Sequence, residues 1–209
     1  MTPSWTERLV SGRLVGDSDS SFPQLVSLAA HDLRTPLATI HGFAQTLVRM
    51  NDLGEPKQRY LEMIDAAALQ LAELLDELGV AARIEGDRYE PNRQPIDSLD
   101  LARHAAAELG EERVVVSGTG ANVRVDVDAT QRGVAALAQA ALRHGGLDRV
   151  DLRVNGVTLT IGPVTASSGP VLLGAELRDL GAAVGGRVIQ ANGGSVALDG
   201  ELLAVTLPA

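Results

Sequence analysis

The 209-residue sequence contains no cysteine. That excludes disulfides, thiolate zinc sites and cysteine nucleophiles, and it fits a reducing compartment. Aromatic residues make up only 2%, so the core must be built from Ala, Leu, Val and Ile, a palette that favours long helices packed side by side. Positive charge is also short: 18 basic residues against 27 acidic ones give a formal charge of −9, which argues against general nucleic-acid binding and against anionic membranes. No apolar stretch approaches the ~18 residues of a spanning helix. The first residues, with Pro3, Trp5, Glu7 and Arg8, lack the layout of a signal peptide. The expectation is a soluble, cytoplasmic protein, with enough chain for one large domain or two small ones.

What the sequence does have is periodicity. Residues 1–21 end in the polar run Gly16-Asp17-Ser18-Asp19-Ser20-Ser21 and read as a loose leader, too short to fold into a sensor. From Phe22 the apolar residues Val26, Ala30, Leu33, Leu37, Ile40, Ala44 and Leu47 recur at steps of four and three, the seam of a helix in a bundle. Gly54 and Pro56 supply a turn. Leu61, Ile64, Ala68, Leu71, Leu75 and Leu78 then repeat the pattern on a second helix that runs to about Ile84. Two helices leave much of such a seam in water, so residues 22–90 are expected to pair with a second copy as a dimeric four-helix bundle. The alternative is that both helices pack on the C-terminal half of their own chain.

Pro91 and Pro95 mark a boundary, and a second, α+β domain is expected over residues 96–209. It begins with a helix through Leu99 and Leu109, a strand at Val114-Val115-Val116 and an alternating strand at Val123–Val127. Ser117-Gly118-Thr119-Gly120 lacks the lysine of a phosphate loop and reads as a turn. An alanine-rich helix from Gln131 to Arg143 precedes a hairpin turned at Asn155-Gly156. Loop over 165–174, helix over 175–191 and a last hairpin turned at Asp199-Gly200 complete the chain. Helices on one face of a mixed sheet are the implied architecture.

The chemistry concentrates at His31-Asp32-Leu33-Arg34-Thr35-Pro36-Leu37. With Leu33 and Leu37 on the seam, His31 falls on the solvent flank of the helix. Asp32 can take or orient the Nδ1 proton, which leaves Nε2 as a nucleophile. Thr35 lies one turn on, where its hydroxyl can hold a water or a phosphoryl oxygen. Pro36 inside a helix costs ~3 kcal/mol by intrinsic preference, so its place beside this pair points to a constraint other than stability. His41, His104 and His144 have no comparable neighbours and read as solvated surface histidines. Asp126 and Asp128, on an alternating strand-like segment, read as a solvated face and not as metal ligands.

Residues 31–37 resemble the phospho-acceptor box of sensor histidine kinases, His-Asp/Glu-x-Arg/Lys-Thr/Asn-Pro-Leu. The resemblance extends through Ala82-Arg83-Ile84-Glu85-Gly86 and Gln94-Pro95-Ile96-Asp97 to Ala191-Asn192-Gly193-Gly194-Ser195-Val196. It implies a helical-hairpin dimerisation and phosphotransfer domain followed by an α/β-sandwich like the kinases' ATP-binding domain. It also makes His31 the phospho-acceptor, Asp32 its general base and Thr35 a residue that positions water. The nucleotide residues, however, depart from the family pattern. Where active members carry a magnesium-holding asparagine the chain has Ala140-Ala141-Leu142-Arg143-His144, and alanine cannot ligate a metal. Thr160-Ile161-Gly162-Pro163-Val164 replaces the motif with the adenine-binding aspartate. The later glycine-rich stretch is reduced to Asp179-Leu180-Gly181-Ala182-Ala183-Val184.

The resulting expectation is a histidine phosphotransferase that passes phosphoryl groups between receiver aspartates through His31. It would need no cofactor of its own: ATP binding is not expected, no residue is assigned to a metal, and Mg²⁺ would come with the receiver. Expected partners are response-regulator receiver domains, an upstream hybrid histidine kinase and a second copy of the chain. The receiver is expected on the flank of Arg34, Ala38, His41 and Gln45. The same residues also admit an ATP-dependent kinase with an atypical site, or a non-catalytic scaffold.

Overall fold

The computed structural model describes residues 21–49, 55–176 and 178–209, with only the backbone at residues 21–29, 31, 32, 35, 36, 55, 56 and 60. Most of the expected leader and the turn residues 50–54 lie outside the described residues. Two long helices, α1 (Ser21–Arg49) and α2 (Glu55–Glu85), form the hairpin that the periodicity predicts. They run antiparallel, with Arg34 of α1 on Asp76 of α2 and, further along α1, His41 on Asp65.

The heptad divides between two tasks. Ala30, Leu37 and Ala44 of α1, seven residues apart, are buried together with Ala68, Leu75 and Ala82 of α2. Small and large side chains thus alternate where the helices meet, which allows close approach. The other seam positions, Leu33, Ile40 and Leu47 on α1 and Ile64 and Leu71 on α2, stand exposed, Leu33 and Ile40 each at 52%. Among the described residues, one heptad position is therefore closed within the chain, while the other is largely exposed, with Leu78 partly buried.

After the linker comes β1 (Arg93–Asp97), then α3 (Ser98–Ala107), β2 (Val114–Gly120), β3 (Asn122–Asp126) and α4 (Val127–Gly145). The chain continues as β4 (Val150–Gly156), β5 (Thr158–Gly162), α5 (Gly169–Leu172), α6 (Leu180–Ala191), β6 (Ser195–Asp199) and β7 (Leu202–Thr206). The main sheet has the order β2-β4-β5-β7-β6, with β2 parallel to β4 and the other pairs antiparallel. Strands β1 and β3 form a separate antiparallel ribbon. Pro95 is tolerated inside β1 because that strand is hydrogen-bonded on one side only. Leu101, Leu137, Leu142, Leu152, Leu159, Ile161, Ile189 and Leu203 are fully buried in one core between helices and sheet.

Four sequence expectations change here. Within the loop expected over 165–174, Gly169–Leu172 form the short helix α5. The Ser117–Gly120 turn is instead the second half of β2, in register with Arg153–Gly156 of β4. The small residues are there because the strands crowd: at Gly118, with φ of +115°, a Cβ would lie 1.9 Å from the carbonyl oxygen of Val154. Helix α6 starts at Leu180, not at 175, because Asp179 is its N-cap and accepts from the amide of Ala182 at 3.1 Å. Asp126 is no solvated carboxylate: it caps α4 and takes two further hydrogen bonds from the linker, described below.

Gly118→Ala combines a clash with backbone strain and is expected to destabilise the second domain by roughly 2–4 kcal/mol. The check is a lower midpoint in urea denaturation with an unchanged slope; an unaltered midpoint would contradict this packing.

Candidate functional site

Helix α1 runs unbroken through residues 31–37, although Pro36 has no N–H to donate to the carbonyl of Asp32. The side chains of His31, Asp32 and Thr35 lie outside the described residues, so the flank expected for them is judged from their neighbours. His31 shares its heptad position with Ala38, which is exposed, and Gln45, which is partly exposed. At the same level the helices touch closely, since a Cβ on Gly79 of α2 would lie 4.0 Å from that of Ala30.

The expected docking residues are only partly free. Arg34 is half exposed and paired with Asp76 of α2. Ala38 is exposed and carries no polar group. His41, expected on the open surface, is about three-quarters covered, with Nδ1 2.6 Å from Oδ1 of Asp65 in a close contact not aligned as a hydrogen bond. Gln45 accepts from Nη2 of Arg49 at 3.4 Å. His104 is exposed in the last turn of α3, as expected.

In the second domain, Ala140 and Ala141 are fully buried in the core. The next two residues reach back to the start of α6: Nη1 of Arg143 and Nε2 of His144 each lie 3.1 Å from Oδ2 of Asp179. Asp179 is almost buried and uses its other oxygen to cap α6. One carboxylate thus satisfies two cationic or donor side chains and a helix N-terminus, so His144 is not the solvated histidine the sequence implied. The missing signal was Asp179 itself, which stands at the N-cap before an apolar helix.

Glu77 of α2 meets this cluster. One carboxylate oxygen, Oε1, would lie 3.1 Å from a Cβ on Gly181, and the other, Oε2, is buried with no hydrogen-bond partner among the described residues. Burial raises its carboxyl above the ordinary value of 4.5, and the nearby Asp179 and Glu73 add to the rise, while Arg132 and Arg143 oppose it. Among the described residues no group of three or more His, Asp or Glu could hold a metal ion. No described helix is long and apolar enough to cross a membrane.

Comparison with known proteins agrees with this layout. Residues 24–87 match the His Kinase A (phospho-acceptor) domain. Sensor protein kinase PmrB of Pseudomonas aeruginosa is 30% identical over 93 residues, covering 44% of this chain and 19% of PmrB. Sensor histidine kinase TrcS of Mycobacterium tuberculosis is 36% identical over 91 residues, covering 43% of this chain and 18% of TrcS. The chain therefore spans about a fifth of the length of these curated relatives. Among solved structures, full-length ShkA in complex with AMPPNP superposes with a TM-score of 0.64 at 18% identity, over 90% of this chain and 46% of that one. The Acinetobacter baumannii histidine kinase AdeS gives 0.51 at 19% identity, over 85% of this chain and 97% of that one. These likenesses carry the fold, a helical phospho-acceptor region followed by an α/β sheet domain resembling histidine kinase catalytic domains. The chain thus carries a His Kinase A (phospho-acceptor) domain over residues 24–87, set in a fold similar to that of histidine kinases.

Proposed function

We propose that this protein is a cytoplasmic histidine phosphotransferase that relays phosphoryl groups between receiver aspartates through His31 and uses no ATP. One observation carries the reading: Asp179 engages both Arg143 and His144, beside two alanines buried in the core. Side chains at the positions where the family handles nucleotide are thereby committed to packing and to each other.

In the proposed reaction, the Nε2 lone pair of His31 attacks the phosphorus of a receiver phosphoaspartate in line. A P–N bond forms, the P–O bond to the acyl group breaks, and the receiver keeps a free carboxylate. Asp32 takes the Nδ1 proton as the ring gains the phosphoryl group and returns it when the group moves to the next receiver. Charge on the transferring group is neutralised by the Mg²⁺ that the receiver brings. The upstream donor is a hybrid histidine kinase. Two hairpins join through Leu33, Ile40, Leu47, Ile64 and Leu71, the exposed half of the heptad, to give a four-helix bundle.

An ATP-dependent kinase is the second reading, favoured by the names of PmrB and TrcS as sensor kinases. Incubating the protein separately with radiolabelled Mg-ATP and with a phosphorylated receiver separates the two. Label is expected on His31 from the receiver alone, and His31→Ala removes it. Label arriving from Mg-ATP in the absence of any other kinase would overturn the proposal.

The bundle has its own check. Ile40→Glu with Leu71→Glu is expected to turn a dimer into a monomer in sedimentation equilibrium while leaving the helical circular dichroism of the chain largely intact. A wild-type protein that sediments as a monomer would contradict it.

A further inference from the structure

The two domains are joined by more than a chain. Helix α2 ends where Asp87 takes a positive φ of 52°, and the amide of Arg88 closes back on the carbonyl of Arg83 at 2.8 Å. The linker then lies down on the second domain. Asp126 Oδ2 accepts from the amide of Asn92 at 3.1 Å and stands 3.4 Å from the Tyr89 hydroxyl. The amide of Asp126 donates to Oδ1 of the buried Asn192 at 2.8 Å, and Nδ2 of Asn192 donates to Val188 of α6 at 2.9 Å. Nη2 of Arg93 adds a bond to the carbonyl of Ala191 at 3.2 Å. One knot therefore fixes the linker, the cap of α4 and the end of α6 together.

A second set of contacts runs along the helices. Arg187 of α6 pairs with Glu85 of α2 at 3.0 Å, and both are about half exposed. Such an exposed pair contributes little by itself. Two turns of α2 earlier the contact is of opposite sign, because Glu77 faces Asp179 where Gly181 lets α6 approach closely. The charged groups around Glu77 are Glu73 on its own helix, Asp179 at the cap of α6, and Arg132 and Arg143 on α4, with His144 bound to Asp179. The seam thus combines an attraction at Glu85–Arg187 with a like-charge approach at Glu77–Asp179.

We propose that the second domain is latched to α2 through the Asp126 knot and the Glu85–Arg187 pair, and that Glu77 is the group that sets how tightly the latch closes. The latch adjoins the phospho-acceptor box: Asp76, next to Glu77, holds Arg34 three residues beyond His31. Opening or closing is thus felt on the turn of α2 that supports the box. This inference does not depend on the source of the phosphoryl group.

The pH dependence has a definite sign. A carboxyl whose value is raised on docking favours the docked pose most when it is protonated. That advantage is fully present below the ordinary value of 4.5 and is lost as pH rises through the raised value. Closure therefore tightens on mild acidification, and Glu77→Gln removes that dependence.

The absence of cysteine makes the test direct. Spin labels on Gln70→Cys in α2 and Asp199→Cys in the second domain, both exposed, report the separation by pulsed dipolar spectroscopy. Labelled chains are diluted with unlabelled protein so that distances within one chain are read. One dominant distance is expected. Arg187→Glu should raise a longer-distance population several-fold, and the charge swap Glu85→Arg with Arg187→Glu should restore the original distribution. Glu77→Gln should shrink any longer-distance population and flatten its response to acidification toward the ordinary carboxyl value of 4.5. A broad distribution indifferent to Arg187→Glu, or a distribution that Glu77→Gln broadens, would overturn the latch.

Discussion

The carboxylate of Asp179 is the contact on which the second domain's character depends. It caps α6, engages Arg143 and His144 at the end of α4, and presents negative charge to Glu77 of the hairpin. A helix N-terminus flanked by an arginine attracts anions. Here the anion is supplied by the chain itself, so the groups that would otherwise wait for a ligand already have a partner.

The hairpin follows a different constraint, the seven-residue repeat. With alanine and leucine alternating at one heptad position, the two helices approach closely within a chain, while the second position keeps its large side chains for an outside surface. A full apolar seam that closed on itself would leave nothing to attach. The proposed bundle and the proposed relay share this origin, because the box at residues 31–37 is placed by the same repeat that buries Ala30 and Leu37.

Much of this was legible in the sequence. The long helices followed from steps of three and four, and the hairpins at Asn155-Gly156 and Asp199-Gly200 from turn chemistry. What was not legible depended on partners distant along the chain. Which half of the heptad is inward cannot be read from one helix alone. Ser117–Gly120 looks like a turn until β4 is laid beside it, and small residues then become the requirement of a crowded strand. His41 and His144 looked solitary because Asp65 and Asp179 are 24 and 35 residues away. Asp126 looked solvated because its role as cap and linker anchor appears only when Tyr89 and Asn92 fold back on it.

The central claim is that this protein's second domain serves as structure and not as a nucleotide site. Calorimetric titration of the intact protein with Mg-ATP tests it most directly. The account predicts no saturable heat. A binding isotherm in the micromolar range that is lost on replacing residues around Asp179 would contradict it.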